Sequence, residues 1–255
     1  MAAELYRNRL AIFDDLAFSG LRHFDPLHIG KRFSAPHYLA VTPRNTLLVS
    51  NGWGSSIVEI ADLDGSGWKE FSGRDRKFNK PHGVCADRSG WIYVGDSLNS
   101  RLVRFLDMEG RGFEEFADAD RKIGYIRQMI CADDGVWLAN SYEKRPGINP
   151  GRAGNILRIH DFASGRVQEF AETPASNTTA VLPLPGGVLW AEWTGGHRIR
   201  IADRSGRNRD ALIPDPELGV PYGFFHEPSE RRILLAQFGS FDWQKQRGGI
   251  LELRY

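Results

Sequence analysis

Residues 33–71, FSAPHYLAVTPRNTLLVSNGWGSSIVEIADLDGSGWKEF, align without a gap on residues 78–116, FNKPHGVCADRSGWIYVGDSLNSRLVRFLDMEGRGFEEF. Both stretches are 39 residues long, carry a Pro-His pair at positions four and five, and end on an aromatic residue. Internal repetition at a period of about 40 to 50 residues is typical of an array of supersecondary units. The chain is therefore predicted to be a repeat protein.

Each repeat contains four short apolar runs. In the second copy they are GVCAD, WIYVG, RLVRF and FEEF, and the segments between them, DRSG, DSLNS and LDMEGRG, are rich in turn-forming residues. Aromatic and β-branched residues bounded by Gly, Asp, Asn and Ser indicate strands, whereas a helix would need apolar spacings of three and four. Four short antiparallel strands form one propeller blade. The sequence predicts an all-β fold, a β-propeller of four-stranded antiparallel blades.

The repeat can be followed along nearly the whole chain. Inner strands begin near five residues: His37, His82, Gln128, Thr178 and Tyr222. Five blades are therefore predicted, in a single β-propeller domain over residues 1–255. Residues 8–24 have the pattern of the outer half of a blade, so Leu21–Phe24 is expected to pair outside the C-terminal strands and close the ring. Both Arg9–Phe13 and Gly249–Arg254 resemble third strands, which leaves six blades as the alternative.

The composition argues only against a partner that is bound mainly through the net charge of the protein. The net charge of +1 provides no bulk attraction to nucleic acid or membrane. The N-terminus shows no signal peptide and no segment is long enough to span a bilayer, so a cytoplasmic location is expected. Cys85 and Cys131 occupy matching positions on adjacent inner strands and are interpreted as small buried apolar residues, with a disulfide or thiol chemistry as the alternative. The sequence does not indicate an oligomeric state.

The segment KPHGVCADRSGWIYVGDSLNSRLVRF resembles the NHL repeat. It carries that family's pattern at these positions: Pro81, Gly83, Val84, Asp87, Gly90, Ile92, Tyr93, Val94, Asp96, Asn99 and Arg101. The wider group of similar propellers includes the gluconolactonase and regucalcin-like enzymes, the peptidylglycine amidating lyases and the streptogramin B lyases. VLWAEWTGGHRIRI, at Val188–Ile201, is similar to the repeat of the streptogramin B lyases. The resemblance implies a propeller fold and, for some members, hydrolase or lyase activity.

One family feature does not carry over. Regucalcin-like hydrolases hold a divalent metal with a Glu, two Asn and an Asp at the starts of inner strands. Here the residues at those starts are His37, His82, Gln128, Thr178 and Tyr222, with no carboxylate among them. The metal site of that family therefore does not carry over to this chain.

A second set of polar residues ends the second strand of each blade. Its members are Asn51, Asp96, Asn140, Glu192 and Gln237. In a propeller these strand ends share a face with the inner-strand starts, so both sets are expected to surround one mouth of the channel. Polar groups among aromatic residues at a concave mouth are typical of a small-molecule site. The candidate substrate-binding residues are Asn51, Trp53, Asp96, Gln128, Asn140, Tyr142, Thr178, Trp193, Tyr222, Gln237 and Arg145.

Three residues, His37, His82 and Glu192, are candidate catalytic groups. The histidines lie one repeat apart and are expected to be neighbours. With Asp96 and Glu192 they form a candidate ligand set for a divalent metal of unknown identity, and they would also serve as acid and base. The alternative is that the Pro-His pairs are repeat structure. Asp96, like Asn51, would then cap a turn by accepting backbone N–H bonds, a role for which Glu192 is poorly suited.

The insertion from Tyr142 to Gly154 is the largest departure from the repeat. It joins the second and third strands of its blade on the face of the two polar sets, where insertions are often binding loops. Lys144, Arg145 and Arg152 favour an anionic group on the ligand, with a solvated basic loop as the alternative.

Three functions remain open at this point. The first is a small-molecule enzyme, a metal-dependent hydrolase or lyase, acting on a small polar or anionic molecule at the mouth. The second is a non-catalytic propeller that binds a ligand or a protein. The third is an RNA-binding propeller, which the net charge disfavours.

Overall fold

The computed structural model describes residues 1–118, 122–141, 154–173, 177–193, 198–207, 210–213, 219–238 and 249–254. The chain divides into two compact units, residues 1–117 and 118–255, which are described separately. All strand pairs in the described residues are antiparallel and join strands consecutive along the chain. The helices of this part of the chain are single short 3₁₀ turns, none with the length and hydropathy to cross a membrane.

The first unit contains three sheets. Sheet 1 consists of β1 (Ala2–Glu4), β2 (Arg9–Ile12) and β3 (Arg22–Phe24). Sheet 2 consists of β4 (Pro36–Val41), β5 (Leu47–Asn51), β6 (Ser56–Ile60) and β7 (Lys69–Phe71). Sheet 3 consists of β8 (Pro81–Ala86), β9 (Ile92–Asp96), β10 (Arg101–Phe105) and β11 (Glu114–Glu115). Short 3₁₀ turns cover Leu5–Arg7, Pro26–Ile29 and Ser97–Asn99.

The second unit also contains three sheets. Sheet 4 consists of β12 (Tyr125–Ala132), β13 (Gly135–Ser141), β14 (Gly154–Ile159) and β15 (Gln168–Thr173). Sheet 5 consists of β16 (Thr178–Leu184), β17 (Gly187–Glu192), β18 (Arg198–Ala202) and β19 (Asp210–Ile213). Sheet 6 consists of β20 (Val220–Glu227), β21 (Arg232–Phe238) and β22 (Gly249–Arg254), with a 3₁₀ turn at Pro228–Glu230.

The all-β, four-stranded organisation predicted from the repeat is confirmed in sheets 2 to 5. The N-terminal segment contains one strand more than expected: Arg22–Phe24 pairs with Arg9–Ile12 as in the outer half of a blade, and Ala2–Glu4 pairs with the other edge of Arg9–Ile12. Residues 1–24 thus form three strands where the repeat pattern indicated two. The number of blades, the closure and the single domain stay predictions.

Neither cysteine is a free thiol, in contrast to the interpretation from sequence. Cys85 and Cys131 are both disulfide-bonded in the structure. Burial in a strand is equally compatible with an apolar thiol and with half of a disulfide, so residue type alone does not distinguish them. Because disulfides persist in oxidising compartments, the cysteines no longer favour a cytoplasmic location, which itself stays a prediction.

Apolar faces of neighbouring sheets pack together within each unit. In the first unit, Leu10 and Phe24 of sheet 1 belong to the same buried cluster as Val49 and Val58 of sheet 2. In the second unit, one cluster includes Trp137, Phe170 and Val181, and another includes Leu189, Phe224 and Leu235. Period-two alternation in the strands produces these faces, since successive side chains point to opposite sides of a sheet.

A row of hydrogen-bonded polar side chains crosses each of sheets 2, 3 and 4 at the end of its second strand. In sheet 3, the guanidinium of Arg101 donates to Asp96 Oδ2 at 2.7 Å and to Glu115 Oε2 at 2.6 Å. The equivalent rows of side chains are Asn51–Ser56–Glu70 in sheet 2 and Asn140–Asn155–Glu169 in sheet 4. The polar ends of the strands are thus hydrogen-bonded to one another across the blade.

Every inner strand of sheets 2 to 6 is irregular at its start. In sheet 2, Pro36 is opposite Asn51, but the next paired residue is Leu39, opposite Val49. In each inner strand, one residue directly follows the pair that precedes the irregularity. These residues are His37, His82, Arg127, Thr179 and Tyr222. A β-bulge re-aims side chains and is over-represented next to active sites.

The pairing register also corrects the alignment of the repeats. The residue equivalent to His37 is Arg127 in sheet 4, where the letters indicated Gln128, and Thr179 in sheet 5, where they indicated Thr178. A comparison of letters along the chain misses this shift because register is a property of the backbone pairing.

We expect Arg101→Met to lower the free energy of unfolding by about 3–5 kcal/mol, because it leaves the buried carboxylate of Asp96 without its cation. The control is Arg22→Met, which breaks an exposed pair with Asp14 and should cost less than about 1 kcal/mol. Urea unfolding of both variants measures the difference. If both variants lose the same free energy of unfolding, the row of polar side chains across sheet 3 has no structural role.

Candidate functional site

Two histidines form the centre of the candidate site in the first unit. The rings of His37 and His82 are stacked, with centroids 3.9 Å apart and planes at 29°. His82 is buried and His37 is partly buried. The prediction from repeat spacing that these residues are neighbours is confirmed.

The tautomer of His37 follows from one contact. Its Nδ1 lies 2.6 Å from the carbonyl oxygen of Ala35. A carbonyl oxygen only accepts, so Nδ1 donates, and in the neutral ring Nε2 then carries the lone pair. His37 is therefore oriented with Nε2 as its proton-accepting atom.

A glycine makes room for this ring. A Cβ built on Gly52 would lie 2.3 Å from His37 Nδ1. The loop that contains Gly52 is fixed by backbone bonds, since the N–H groups of Gly52 and Trp53 donate to the carbonyls of Ala35 and Ser34 at 3.1 and 3.0 Å. The position of His37 thus depends on the absence of a side chain at residue 52.

Trp53 and Lys80 each lie close to one of the histidines, Trp53 through Gly52 and Lys80 along the chain. Trp53 is 70% exposed, and the Lys80 ammonium lies 5.9 Å from the centroid of its ring. Lys80 comes two residues before His82, and Trp53 follows Gly52. The first unit therefore combines imidazoles, a cation and an exposed aromatic face.

Asn51 and Asp96 are engaged by the loop that precedes each inner strand. Asn51 Oδ1 accepts from the Ser34 N–H at 2.5 Å, and Asp96 Oδ1 accepts from the Asn79 N–H at 2.6 Å. Burial raises the pKa of Asp96, against the opposing effect of its hydrogen bonds from Asn79, Asn99 and Arg101. These contacts are those of a turn cap, and a role in substrate binding stays a prediction.

The proposed metal ligands do not fit a metal. Within the described ranges, no group of three or more His, Cys, Asp and Glu residues is arranged to hold an ion. The stacked rings of His37 and His82 lie face to face instead of converging edge-on on one point. Asp96 is already bonded to Arg101, and Glu192 is bonded to Arg200. The hypothesis of a metal held by His37, His82, Asp96 and Glu192 is therefore not carried further.

A buried arginine with aromatic neighbours forms the candidate site in the second unit. The Arg127 guanidinium lies 5.1 Å from the ring centroid of Tyr125 and 5.7 Å from those of Trp193 and Tyr222. Its Nη1 donates to the Tyr222 hydroxyl at 3.0 Å and its Nε to Ser141 Oγ at 3.3 Å. We call these five residues the arginine cluster; it joins the strand ends of sheets 4, 5 and 6.

Sequence reasoning found Tyr222 and Trp193 of this cluster but missed Arg127. The available signal was the position of an arginine inside YIRQMI, an otherwise buried inner strand. A buried charge is costly without specific partners, so such a residue marks a site.

Gln128 has the contacts of a structural brace. Its Oε1 accepts from the N–H groups of Val181 and Phe224 at 3.1 and 3.2 Å, and its Nε2 donates to the Phe224 carbonyl at 2.7 Å. The side chain thereby ties inner strands β12, β16 and β20 together.

Among the remaining predicted residues of the second unit, Asn140 and Gln237 are caps, whereas Thr178 and Glu192 have other contacts, and a role of any of them in a site stays a prediction. Asn140 accepts from the Gly124 N–H at 2.8 Å, and Gln237 accepts from the Gly219 N–H at 3.0 Å. Thr178 is fully buried opposite Glu192, which accepts from Trp190 Nε1 at 2.9 Å and pairs with Arg200 at 3.0 Å. Tyr142 and Arg145, with the rest of the basic insertion up to residue 153, lie outside the described residues.

Comparison with known proteins identifies the repeat and the fold. Residues 78–105 match the NHL repeat. No curated protein sequence matches the chain. Among solved structures, a catalytically inactive His-to-Ala variant of virginiamycin B lyase from Staphylococcus aureus with quinupristin is 17% identical. That match covers 96% of this chain and 77% of the other, with a TM-score of 0.62.

Two further structures are similar to the same degree. A streptogramin B lyase is 15% identical over 99% of this chain and 78% of the other, with a TM-score of 0.62. A gluconolactonase from Xanthomonas campestris is 17% identical over 84% of this chain and 75% of the other, also with a TM-score of 0.62. The chain shares the β-propeller fold of these proteins. At these identities the likeness concerns the fold alone.

We expect Gln128→Met to destabilise the second unit strongly, because it removes partners from three buried backbone groups at about 1–3 kcal/mol each. Gln237→Met is the matched control, since its side chain accepts from one N–H, that of Gly219. The free energies of unfolding of both variants decide the matter. If Gln128→Met unfolds no more easily than Gln237→Met, Gln128 is available to a ligand after all.

Proposed function

We propose that this chain binds a small polar molecule carrying an anionic group at the bulged starts of its inner strands. The observation that carries the proposal is the repeated bulge, which re-aims His37 and His82 in the first unit and Arg127 and Tyr222 in the second. Positions used for packing alone would be apolar. The side chains found at these equivalent positions are of types that recognise anions, which favours a binding role.

In the first unit, a ligand would meet the histidine pair with Lys80 and Trp53 beside it. The ammonium supplies positive charge, and the exposed indole supplies an apolar face. The histidines supply donors and acceptors whose directions are set by the contact between His37 and Ala35. In the second unit, the arginine cluster combines a guanidinium with hydroxyl groups and aromatic rings in the same way.

A second candidate is catalysis of the lyase or hydrolase type without a metal. The supporting observation is the fixed tautomer of His37, whose Nε2 is the atom suited to accept a proton, with the His82 ring stacked against it. The Staphylococcus aureus lyase that shares the fold is catalytically inactive as a His-to-Ala variant. That fact belongs to the other protein, and it makes the histidine pair the first place to test for catalysis here.

Binding is tested with a panel of small carboxylates, phosphate esters and neutral sugars, followed by the rise in Tm that a ligand of the native state produces. We expect anionic members of the panel to raise Tm and neutral ones to have no effect. A panel in which only neutral molecules are bound would overturn the proposal.

Gly52→Ala should abolish the response to those anions, because the new methyl group collides with His37 and displaces the ring. The control is Gly186→Ala, since a Cβ at Gly186 meets nothing within 4 Å. Affinity is measured by calorimetry for both variants. Unchanged affinity in Gly52→Ala would remove the histidine pair from the site.

Catalysis and simple binding are separated by His37→Gln, which retains a polar side chain but cannot act as a base near neutral pH. If the chain is an enzyme, turnover of a bound compound is lost in His37→Gln while binding persists. Complete stability of every bound compound in the unchanged protein would leave the non-catalytic binding function.

A further inference from the structure

Trp53 presents an aromatic face to solvent from a fixed backbone. It is 70% exposed, more than any other large hydrophobic side chain in the part of the chain that the structure describes. The N–H groups of Trp53 and Gly54 both donate to the Ser34 carbonyl, at 3.0 and 3.2 Å, and Ser55 donates to Gly52 at 3.2 Å. The loop is therefore ordered by its own hydrogen bonds, and burial of the indole ring contributes little to that order.

Lys80 adds a cation to this face. Its Nζ lies 5.9 Å from the centroid of the Trp53 ring. Its backbone has φ of 52°, in the left-handed region where a residue with a side chain is strained. Pro81 and His82 follow directly, so the backbone that carries the cation also carries one of the paired histidines.

The neighbouring repeat supplies a natural comparison. Leu98 occupies the position of Trp53, and its N–H donates to the Asn79 carbonyl at 3.0 Å as that of Trp53 does to Ser34. Ala35 occupies the position of Lys80, with φ of 49° against 52°. The two segments thus share this hydrogen bond and this φ while the side chains differ. The local fold requires neither an indole nor an ammonium group at these positions.

We propose that Trp53 and Lys80 bind a flat aromatic carboxylate beside the histidine pair. The indole would stack on the ring of the ligand, and the ammonium would pair with its carboxylate. A neutral ring would not use Lys80, and an acyclic anion would not use Trp53. This inference rests on the proposed function and names the ligand class for the site in the first unit.

The probe is 2-naphthoate, compared with acetate, which lacks the ring, and 2-naphthalenemethanol, which lacks the charge. Calorimetry gives the affinities for the unchanged protein. Proton NMR of the indole N–H of Trp53, assigned by its loss in Trp53→Leu, reports contact with the ring. We expect naphthoate to bind more tightly than both comparison compounds and to shift that signal. A stronger response to acetate would overturn the inference.

The test variants take the residues of the neighbouring repeat, Trp53→Leu and Lys80→Ala. Trp53→Leu should weaken naphthoate binding about 2- to 10-fold, which is the contribution of an aromatic stack, and leave the affinity for acetate unchanged. Lys80→Ala should weaken the binding of naphthoate and leave the affinity for 2-naphthalenemethanol unchanged. Trp53→Phe, which keeps a ring, should recover part of the loss. Unchanged naphthoate affinity in Trp53→Leu and Lys80→Ala would overturn the inference.

The two proposals fail in distinguishable ways. If naphthoate binding is lost in Gly52→Ala but unchanged in Trp53→Leu and Lys80→Ala, the histidine pair binds anions without this aromatic face, and only the inference is overturned. If binding depends on Trp53 and Lys80 but not on Gly52, the inference is supported, and the role of the histidine pair in the proposed function is overturned. Tm values of the variants without ligand should match that of the unchanged protein, since neither side chain is buried in the core.

Discussion

The structure depends on one hydrogen bond repeated in sheets 2, 3, 4 and 6, from the backbone N–H ahead of the inner strand to the polar side chain that ends the second strand. Asn51 accepts from Ser34, Asp96 from Asn79, Asn140 from Gly124 and Gln237 from Gly219. The donor belongs to a loop that would otherwise leave a polar backbone group unsatisfied at the edge of the sheet, at a cost of about 1–3 kcal/mol. The bond sets where each inner strand begins, and with it the location of the bulge.

This arrangement divides the polar residues of a blade between two tasks. The second-strand ends hold the loops, as the carboxylate of Asp96 does with Asn79 and Arg101. The bulged residues of the inner strand have no ladder partner directly opposite, so their side chains are aimed by contacts of their own. His37 is aimed by Ala35 and Gly52, and Arg127 by Ser141 and Tyr222. Residues suited to chemistry are therefore found at the bulges, while residues suited to capping are found opposite them.

Repetition made the fold and half of the site predictable from sequence. A gap-free match between two copies predicted the strands and the contact between His37 and His82, because equivalent residues of adjacent repeats lie side by side. Arg127 was not predicted, because the alignment of letters placed Gln128 opposite His37, one residue away from the equivalence that strand pairing gives. The strand at Ala2–Glu4 was missed because it precedes the first recognisable repeat. The metal site stays a prediction that this geometry does not favour: residue types suggest ligands, but the face-to-face contact of two rings depends on how strands pack.

Divergence between copies contains information that similarity does not. Where the copies of sheets 2 and 3 keep a contact with changed residues, as in Ser56 with Glu70 and Arg101 with Glu115, the contact has a structural task. Where they keep the backbone and change only an exposed side chain, packing gives no reason for the change. Trp53 against Leu98 is such a case, since both loops make the same bond to the preceding segment. The backbone of this loop therefore does not account for the exposed indole of Trp53, whereas a ligand that stacks on the ring would.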